Sequence, residues 1–418
     1  MTSPSEPRHR RPRVAFFTDS FNEVNGVALT SRAFADFAKT RFYPFFCAYA
    51  GAESCHWIRG SYQAYEMASS PLRLGLEHDL DFDLLFLRHL RGVQNALRAF
   101  RPDIVHITGP GHLGMMGAIL AHQLGVPLVA SWHTNVHEFG SRRLERMLGQ
   151  FPSGFRRSTA ALAEHKSLDL AVRFYQFAKM IFAPNPELCQ MLGERCGRPV
   201  HSMQRGIDCE LYTPNRRKAT AGRFVIGYVG RISAEKNVRL LAEVDQILKR
   251  NGDEFEFKIV GDGSEKHWLQ RHMPQATFTG VLKGEALADA YAQMDVLLFP
   301  SETDTFGNVV LEAAASGVPS LVSGGGGPKY LVEDGVSGFV RHNAEGYAAA
   351  ISMLRGSPAL RKSMGIAART SALTRSWGAV FEGIYQQYRN GLAEGILAPA
   401  KPDTDSPLPK TFPARSVS

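Results

Sequence analysis

Short runs of β-branched, aromatic and aliphatic residues alternate along the chain with longer stretches in which apolar residues recur every three or four positions. The clearest predicted strands are Val14 to Thr18, Ile104 to Thr108, Leu128 to Trp132, Val225 to Val229, Phe257 to Val260, Val296 to Phe299 and Leu321 to Ser323. Most are apolar throughout rather than at alternate positions, the pattern of a parallel strand buried on both faces. Helical periodicity falls between them, at Met115 to Leu124, Arg239 to Arg250 and Ala286 to Met294. Strand, helix, strand in repetition predicts an α/β fold with doubly wound parallel sheets.

The pattern restarts part-way. A first series runs from Arg13 to about Met203, a polar stretch follows at Arg216 to Arg223, and a second series opens at Val225 and runs to about Leu373. The expected organisation is a flexible basic tail over 1–12 and a Rossmann-like domain over 13–205. A second such domain follows over 206–374, then a helix over 375–392 that returns to the first domain, and a disordered tail over 393–418. The helix is read from Val380, Phe381, Ile384, Tyr385 and Tyr388, which share one face. The tail is read from Pro399, Pro402, Pro407, Pro409 and Pro413. Ligands of open α/β sheets sit outside the carboxyl ends of the strands. The cleft between the domains, and the loops that follow strands, are therefore where chemistry is expected.

Composition narrows the partners. The 418 residues carry a formal net charge of +8, which favours anionic ligands. Zinc-finger spacing, RNP-type aromatic strands and long Lys/Arg blocks are missing, so no nucleic-acid partner is expected. Five cysteines, Cys47, Cys55, Cys189, Cys196 and Cys209, form no C-x-x-C pair and fit a reduced cytoplasmic protein. No apolar run approaches the roughly 18 residues of a membrane span, and the Arg-rich start lacks the apolar core of a secretory signal.

Four strand-end segments carry candidate chemistry. Ser301 to Gly317 follows the strand Val296 to Phe299 and holds Asp304 in a loop, Phe306, Gly307 and Asn308 at a helix start, and Glu312 eight residues beyond Asp304. A helix start offers N–H groups and a positive dipole end to an anion. The plainer alternative makes Asp304 a helix cap and Glu312 a solvated charge. Gly230 to Asn237 follows Val225 to Val229 and brings Arg231 and Lys236, a planar fork and a point charge suited to phosphate, or else a solvated basic loop. Asn25-Gly26-Val27 follows the first strand, where Gly26 permits close approach of a diphosphate and Asp19 either lines the site or caps a turn. His133, in Ser131 to Asn135, ends the strand Leu128 to Trp132 and faces the cleft.

Taken in order over Arg13 to Tyr388, these segments resemble the retaining glycosyltransferases of family 4, the group 1 type with a GT-B fold. Ser301 to Gly317 is similar to the family's E-x7-E signature, with Asp304 where many members carry the first Glu. Gly230 to Lys236 is similar to its G-R-x-x-x-x-K loop, and Gly324 to Pro328 to its G-G-P segment. The resemblance implies that Asp304, Phe306, Gly307 and Asn308 hold the donor sugar and phosphate, and that Glu312 holds the nucleotide ribose. It implies that Arg231 and Lys236 stabilise the leaving diphosphate, that Gly26 faces it, and that His133 positions the transferred sugar or handles a proton. The implied reaction moves a mannose- or glucose-type hexose from a UDP- or GDP-sugar to a lipid or glycan hydroxyl, with retention, no cofactor and no obligatory metal.

Other readings compete. Gly109 to Gly114 is a formal G-x-G-x-x-G, but it opens no first βαβ unit and no acid ends the next strand, so a tight turn is expected there rather than NAD binding. The D-x-D runs at Asp79 to Asp83 and Asp403 to Asp405 suggest metal, yet the first is expected to lead into a helix and the second lies in the tail. A glycosidase needs two acids about 5–9.5 Å apart, whereas the two helical turns separating Asp304 and Glu312 span roughly 11 Å. A sugar-phosphate synthase or phosphorylase on the same fold, and a silent nucleotide-sugar binder, remain alternatives. Between His137 and Lys179 stand eight basic residues, Arg142, Arg143, Arg146, Arg156, Arg157, Lys166, Arg173 and Lys179, against four acids. That face suits either solvent or peripheral contact with an anionic membrane.

Overall fold

The two series of strands build two separate sheets. The computed structural model describes residues 11–23, 25–77, 80–83, 85–133, 166–218 and 223–399. In chain order the strands of the first half are β1 (Val14–Thr18), β2 (Phe45–Gly51), β3 (Cys55–Arg59), β4 (Tyr62–Ala68), β5 (Arg73–Glu77), β6 (Leu80–Asp83), β7 (Ile104–Ile107), β8 (Leu128–Ser131), β9 (Met180–Ala183) and β10 (Val200–Ser202). Those of the second half are β11 (Phe224–Val229), β12 (Phe255–Val260), β13 (Thr277–Gly280), β14 (Val296–Phe299), β15 (Ser320–Ser323) and β16 (Gly338–Arg341).

The first sheet has eight strands in the order β10-β9-β8-β7-β1-β2-β4-β3, parallel except for the terminal β3–β4 pair. The second has six, in the order β13-β12-β11-β14-β15-β16, all parallel. In both sheets the order reverses at the first strand of the series, and the crevice outside such a reversal is where a ligand fits. The central strands β1, β7, β8 and β14 are buried at every position. Strand β3 caps the sheet edge and is exposed at every position, so it has no core pattern to read.

Two motifs set aside as decoys have structural work. Asp19, at the end of the first strand, accepts the Leu113 N–H at 2.8 Å and lies 3.3 Å from the His112 ring. It thus satisfies a first-turn amide of the helix His112–Leu124, which begins inside the G-x-G-x-x-G segment with Gly111 as its N-cap. Within the acidic run at 79–83, Leu80–Asp83 is a short strand paired with β5, and the chain then leads, as expected, into the helical turn Phe86–His89 and the helix Leu90–Phe100. Asp83 accepts from the Ser70 and Leu85 backbone amides and from Arg88, a local anchor. The second D-x-D, at 403–405, lies outside the described residues.

The chain passes between the two sheets twice, and the passages are bonded side by side through Ile207 N–H to Arg375 O at 2.9 Å. After the second passage the helix Trp377–Ala393 lies on the first sheet. Phe381 stacks on Phe34 with centroids 4.5 Å apart, Tyr385 meets Tyr43 at 4.1 Å, and Tyr388 donates to buried His106 of β7. Each buried side chain of that face contributes about 1.5–3 kcal/mol of burial free energy.

Candidate functional site

The loop after β14 is shaped by the backbone first. Gly307 precedes the helix Asn308–Ala315 with φ +96°, and a Cβ there would stand 2.9 Å from Pro328, so only glycine fits. No described side chain caps that helix. Asp304 instead binds Lys236, whose Nζ lies 2.8 and 2.9 Å from its two carboxylate oxygens. Phe306 puts its ring into the core of the second domain. Glu312 is buried rather than solvated and accepts the Tyr291 hydroxyl at 2.7 Å. Burial pushes its carboxyl up to about 7, against the opposing pull of that hydrogen bond.

The loop after β11 forms the adjoining wall. Its carbonyl at Arg231 accepts the Tyr228 hydroxyl at 2.7 Å, which leaves the guanidinium half-exposed and 3.7 Å from Glu235. Lys236 ends a short turn, Ala234–Lys236. Thr303 donates to Glu235 O at 3.1 Å, so the two loops are laced into one surface that carries Arg231, Lys236 and Asp304.

The first domain supplies the opposite wall. His133 follows β8 and is buried; burial, together with the charge of Arg205 and the proximity of His106, holds its imidazole well below the ordinary range and therefore neutral. Its carbonyl accepts the Thr305 hydroxyl at 3.0 Å. Gly26 opens the helix Gly26–Thr40, capped by Asn25 through the Ala28 N–H. A Cβ on Gly26 would stand 2.9 Å from the Asn308 amide nitrogen, so glycine allows the two domains to meet here. Arg205, also buried, donates to Gly26 O and to the Thr30 hydroxyl.

The structure thus brings Gly26, His133, Lys236, Asp304 and Asn308 to one cleft, with Arg231 on the same loop as Lys236. Glu312 sits against Tyr291, further along its helix. Sequence reasoning missed Asn185, Thr305 and Tyr291. Asn185-Pro186 reads as a helix cap followed by proline at the first turn, but nothing local shows that its amide reaches Thr305 O at 2.7 Å. Most of the basic cluster, Arg142 to Arg157, lies outside the described residues, as do Thr134 and Asn135. Among the described residues no group of three or more His, Cys, Asp or Glu is placed to hold a metal ion, and no helix is long and apolar enough to cross a membrane.

Residues 68–211 match the family model described as Glycosyltransferase Family 4, and residues 223–356 match that of the glycosyl transferases group 1. The chain is 35% identical over 312 residues to the GDP-mannose-dependent alpha-mannosyltransferase of Mycolicibacterium smegmatis, spanning 73% of this chain and 78% of that one. The protein belongs to the group 1 glycosyltransferases of family 4. The enzyme of the same description from Corynebacterium glutamicum is 30% identical over 341 residues, 79% of this chain and 77% of that one. Among solved structures, sucrose-phosphate synthase from Thermosynechococcus elongatus superposes with a TM-score of 0.70 at 17% identity, covering 92% of this glycosyltransferase and all of that chain. That likeness speaks to fold alone, and the fold is GT-B: two parallel-sheet α/β domains across a cleft.

Proposed function

We propose that this glycosyltransferase moves a mannose-type hexose from GDP-mannose to a hydroxyl of a lipid or glycan acceptor, with the α configuration retained. The observation that carries the reading is the Lys236–Asp304 ion pair, set in one cleft with Gly26, Asn308 and His133. The mannosyltransferase descriptions of the relatives support the donor.

The leaving group is a nucleoside diphosphate whose charge grows as the C1–O bond breaks. Arg231, Lys236 and the amides at the start of the helix Asn308–Ala315 stabilise that charge, a term worth orders of magnitude in rate in a water-poor cleft. A phosphate that reaches Lys236 competes with Asp304 for it, and this releases the carboxylate to accept sugar hydroxyls. As the acceptor oxygen bonds to C1 on the face the diphosphate leaves, its proton passes to a departing phosphate oxygen. Neutral His133 fits a hydrogen-bonding role toward the sugar rather than that of a cationic acid. With two cations at the phosphates, the reaction proceeds without an obligatory metal and without a cofactor.

The proposed setting is cytoplasmic, peripheral on the inner face of the membrane. Exposed Leu170 and Phe177 alternate with Lys166, Arg173 and Lys179 on the first domain, which supports contact with anionic lipid. Co-sedimentation with vesicles that did not depend on anionic lipid would remove that element.

The test of the donor is a thermal-shift screen of GDP, UDP, ADP and their hexose conjugates in the presence of a chelator. Stabilisation by GDP and GDP-mannose, followed by an α-linked product in NMR, is the expected result. Preference for UDP would reassign the donor, and a β-linked product would overturn retention. A requirement for a soluble phosphosugar or free phosphate would move the enzyme to the synthase or phosphorylase type.

A further inference from the structure

Thr305 ties the two domains across the cleft. Its hydroxyl donates to His133 O at 3.0 Å, at the end of β8. Its carbonyl accepts the Asn185 side-chain amide at 2.7 Å, just past the end of β9. On its other side that carbonyl is pressed by Gly327, where a Cβ would stand 2.0 Å away. Asp304 is held in the same turn, its carbonyl accepting the Gly327 N–H at 2.7 Å. The loop that carries Asp304 is therefore fastened to two adjacent strand ends of the opposite domain.

The orientation of Asn185 is not arbitrary. Its Oδ1 accepts the Leu188 N–H at 2.9 Å and caps the helix Pro186–Cys196. An amide flipped the other way would set a donor against that N–H and an acceptor against the Thr305 carbonyl. The cap thus aims the Nδ2 group across the cleft. The amide is buried, so losing either partner leaves a desolvated polar group without a bond. A second tie from the same helix, Glu187 to Lys329 at 2.6 Å, is more exposed and worth less.

We infer that Asn185 and Thr305 are positioning residues for transfer: they clasp the closed cleft and set Asp304 against His133. This rests on the proposed donor site. Neither side chain is assigned to the donor itself; each acts through the loop. The clasp joins the carbonyl of His133 on the acceptor side to the neighbour of Asp304 on the donor side, so closure and sugar placement become one event.

The test uses the full chain with Thr305→Val, Thr305→Ser and Asn185→Asp, the last keeping a side-chain oxygen as helix cap while removing the amide donor. Three readouts are taken: the radius of gyration by small-angle scattering, GDP affinity by calorimetry, and release of GDP from GDP-mannose with water as acceptor. The expected result is a larger radius of gyration for Thr305→Val and Asn185→Asp, with kcat down about tenfold and GDP affinity within about twofold of wild type. Thr305→Ser is expected to retain both the compact form and the rate. Scattering and kcat superposable on wild type would overturn the clasp, as would a Ser variant as impaired as Val, or GDP affinity falling in step with kcat. If the wild type binds no GDP, the donor reading fails while the scattering arm still decides the clasp.

Discussion

Glu312→Gln separates the ribose-binding reading from a merely structural one, because the carboxyl is displaced from an ordinary 4.5 to about 7. At about 1.4 kcal/mol per pH unit, keeping it ionised inside the fold costs about 3 kcal/mol relative to the unfolded chain. The sign follows from a raised pKa in the folded state. Below pH 4.5 the group is protonated in both states and its contribution to stability is complete. As pH rises from 4.5 through 7 the unfolded chain ionises first, and that stability is lost. Glutamine does not titrate and still presents an oxygen to the Tyr291 hydroxyl. The stability difference between wild type and Glu312→Gln should therefore shift by about 3 kcal/mol in favour of the variant between pH 4 and pH 8. That is roughly 6–12 °C in the melting of a domain of this size. Nucleotide binding runs the other way. A carboxylate that accepts ribose hydroxyls binds better ionised, so GDP affinity of the wild type should rise as pH passes through 7. In Glu312→Gln it should be roughly tenfold to a hundredfold weaker at pH 8, the worth of a charged hydrogen bond, and nearly flat with pH. Differential scanning calorimetry and GDP titrations across pH 5–8.5 read both effects. Parallel melting profiles would refute the buried, titrating carboxyl; unchanged GDP affinity would refute its contact with ribose.

Other substitutions test the remaining parts of the cleft. Arg231→Ala and Lys236→Ala should each lower kcat roughly a hundredfold or more, as for the loss of one charge-stabilising donor; near-normal single-turnover rates in either would remove that residue from the mechanism. Gly26→Ala places a methyl group 2.9 Å from the Asn308 amide. It should depress transfer and weaken GDP binding while leaving the melting temperature near wild type, and an unchanged kcat would show that the domains do not meet there during turnover. Tyr388→Phe removes the hydroxyl bound to His106, whose ring burial holds neutral with its pKa lowered to about 3. Loss of about 1–3 kcal/mol of stability is expected, with GDP affinity intact; a neutral effect in denaturant titration would refute that bond's structural weight.

The central strands were legible because every residue of β1, β7, β8 and β14 is buried, which leaves short, predominantly apolar runs in the sequence, broken only by Thr18, His106 and Ser131. Strand β3, exposed throughout, leaves no such run. The donor side of the cleft was readable for a related reason. Arg231 with Lys236, and Asp304 with Glu312, each belong to one loop or one loop-and-helix segment, so spacing alone relates them. What spacing could not convey was their environment. Glu312 in Val-Val-Leu-Glu-Ala-Ala-Ala shows no sign of the Tyr291 hydroxyl that it meets, and Asp304 reads as a cap until Lys236 is seen beside it. Asn185 and Thr305 are joined by tertiary structure alone, across a sequence gap that no local pattern bridges.

The helix Trp377–Ala393 has a consequence for how the molecule comes into being. Phe34, Phe37 and Tyr43 are synthesised well before their cover, Phe381 and Tyr385. The whole second sheet is synthesised in between. The first domain therefore waits, with aromatic surface uncovered, while its successor folds, an interval in which a partly made chain is prone to aggregation. Nascent chains stalled before Trp377 should be held by chaperones or cleaved readily in their first half, and should become protease-resistant there only once Ala393 has emerged. A chain that stops short of the helix Trp377–Ala393 therefore leaves that aromatic face of the first domain uncovered.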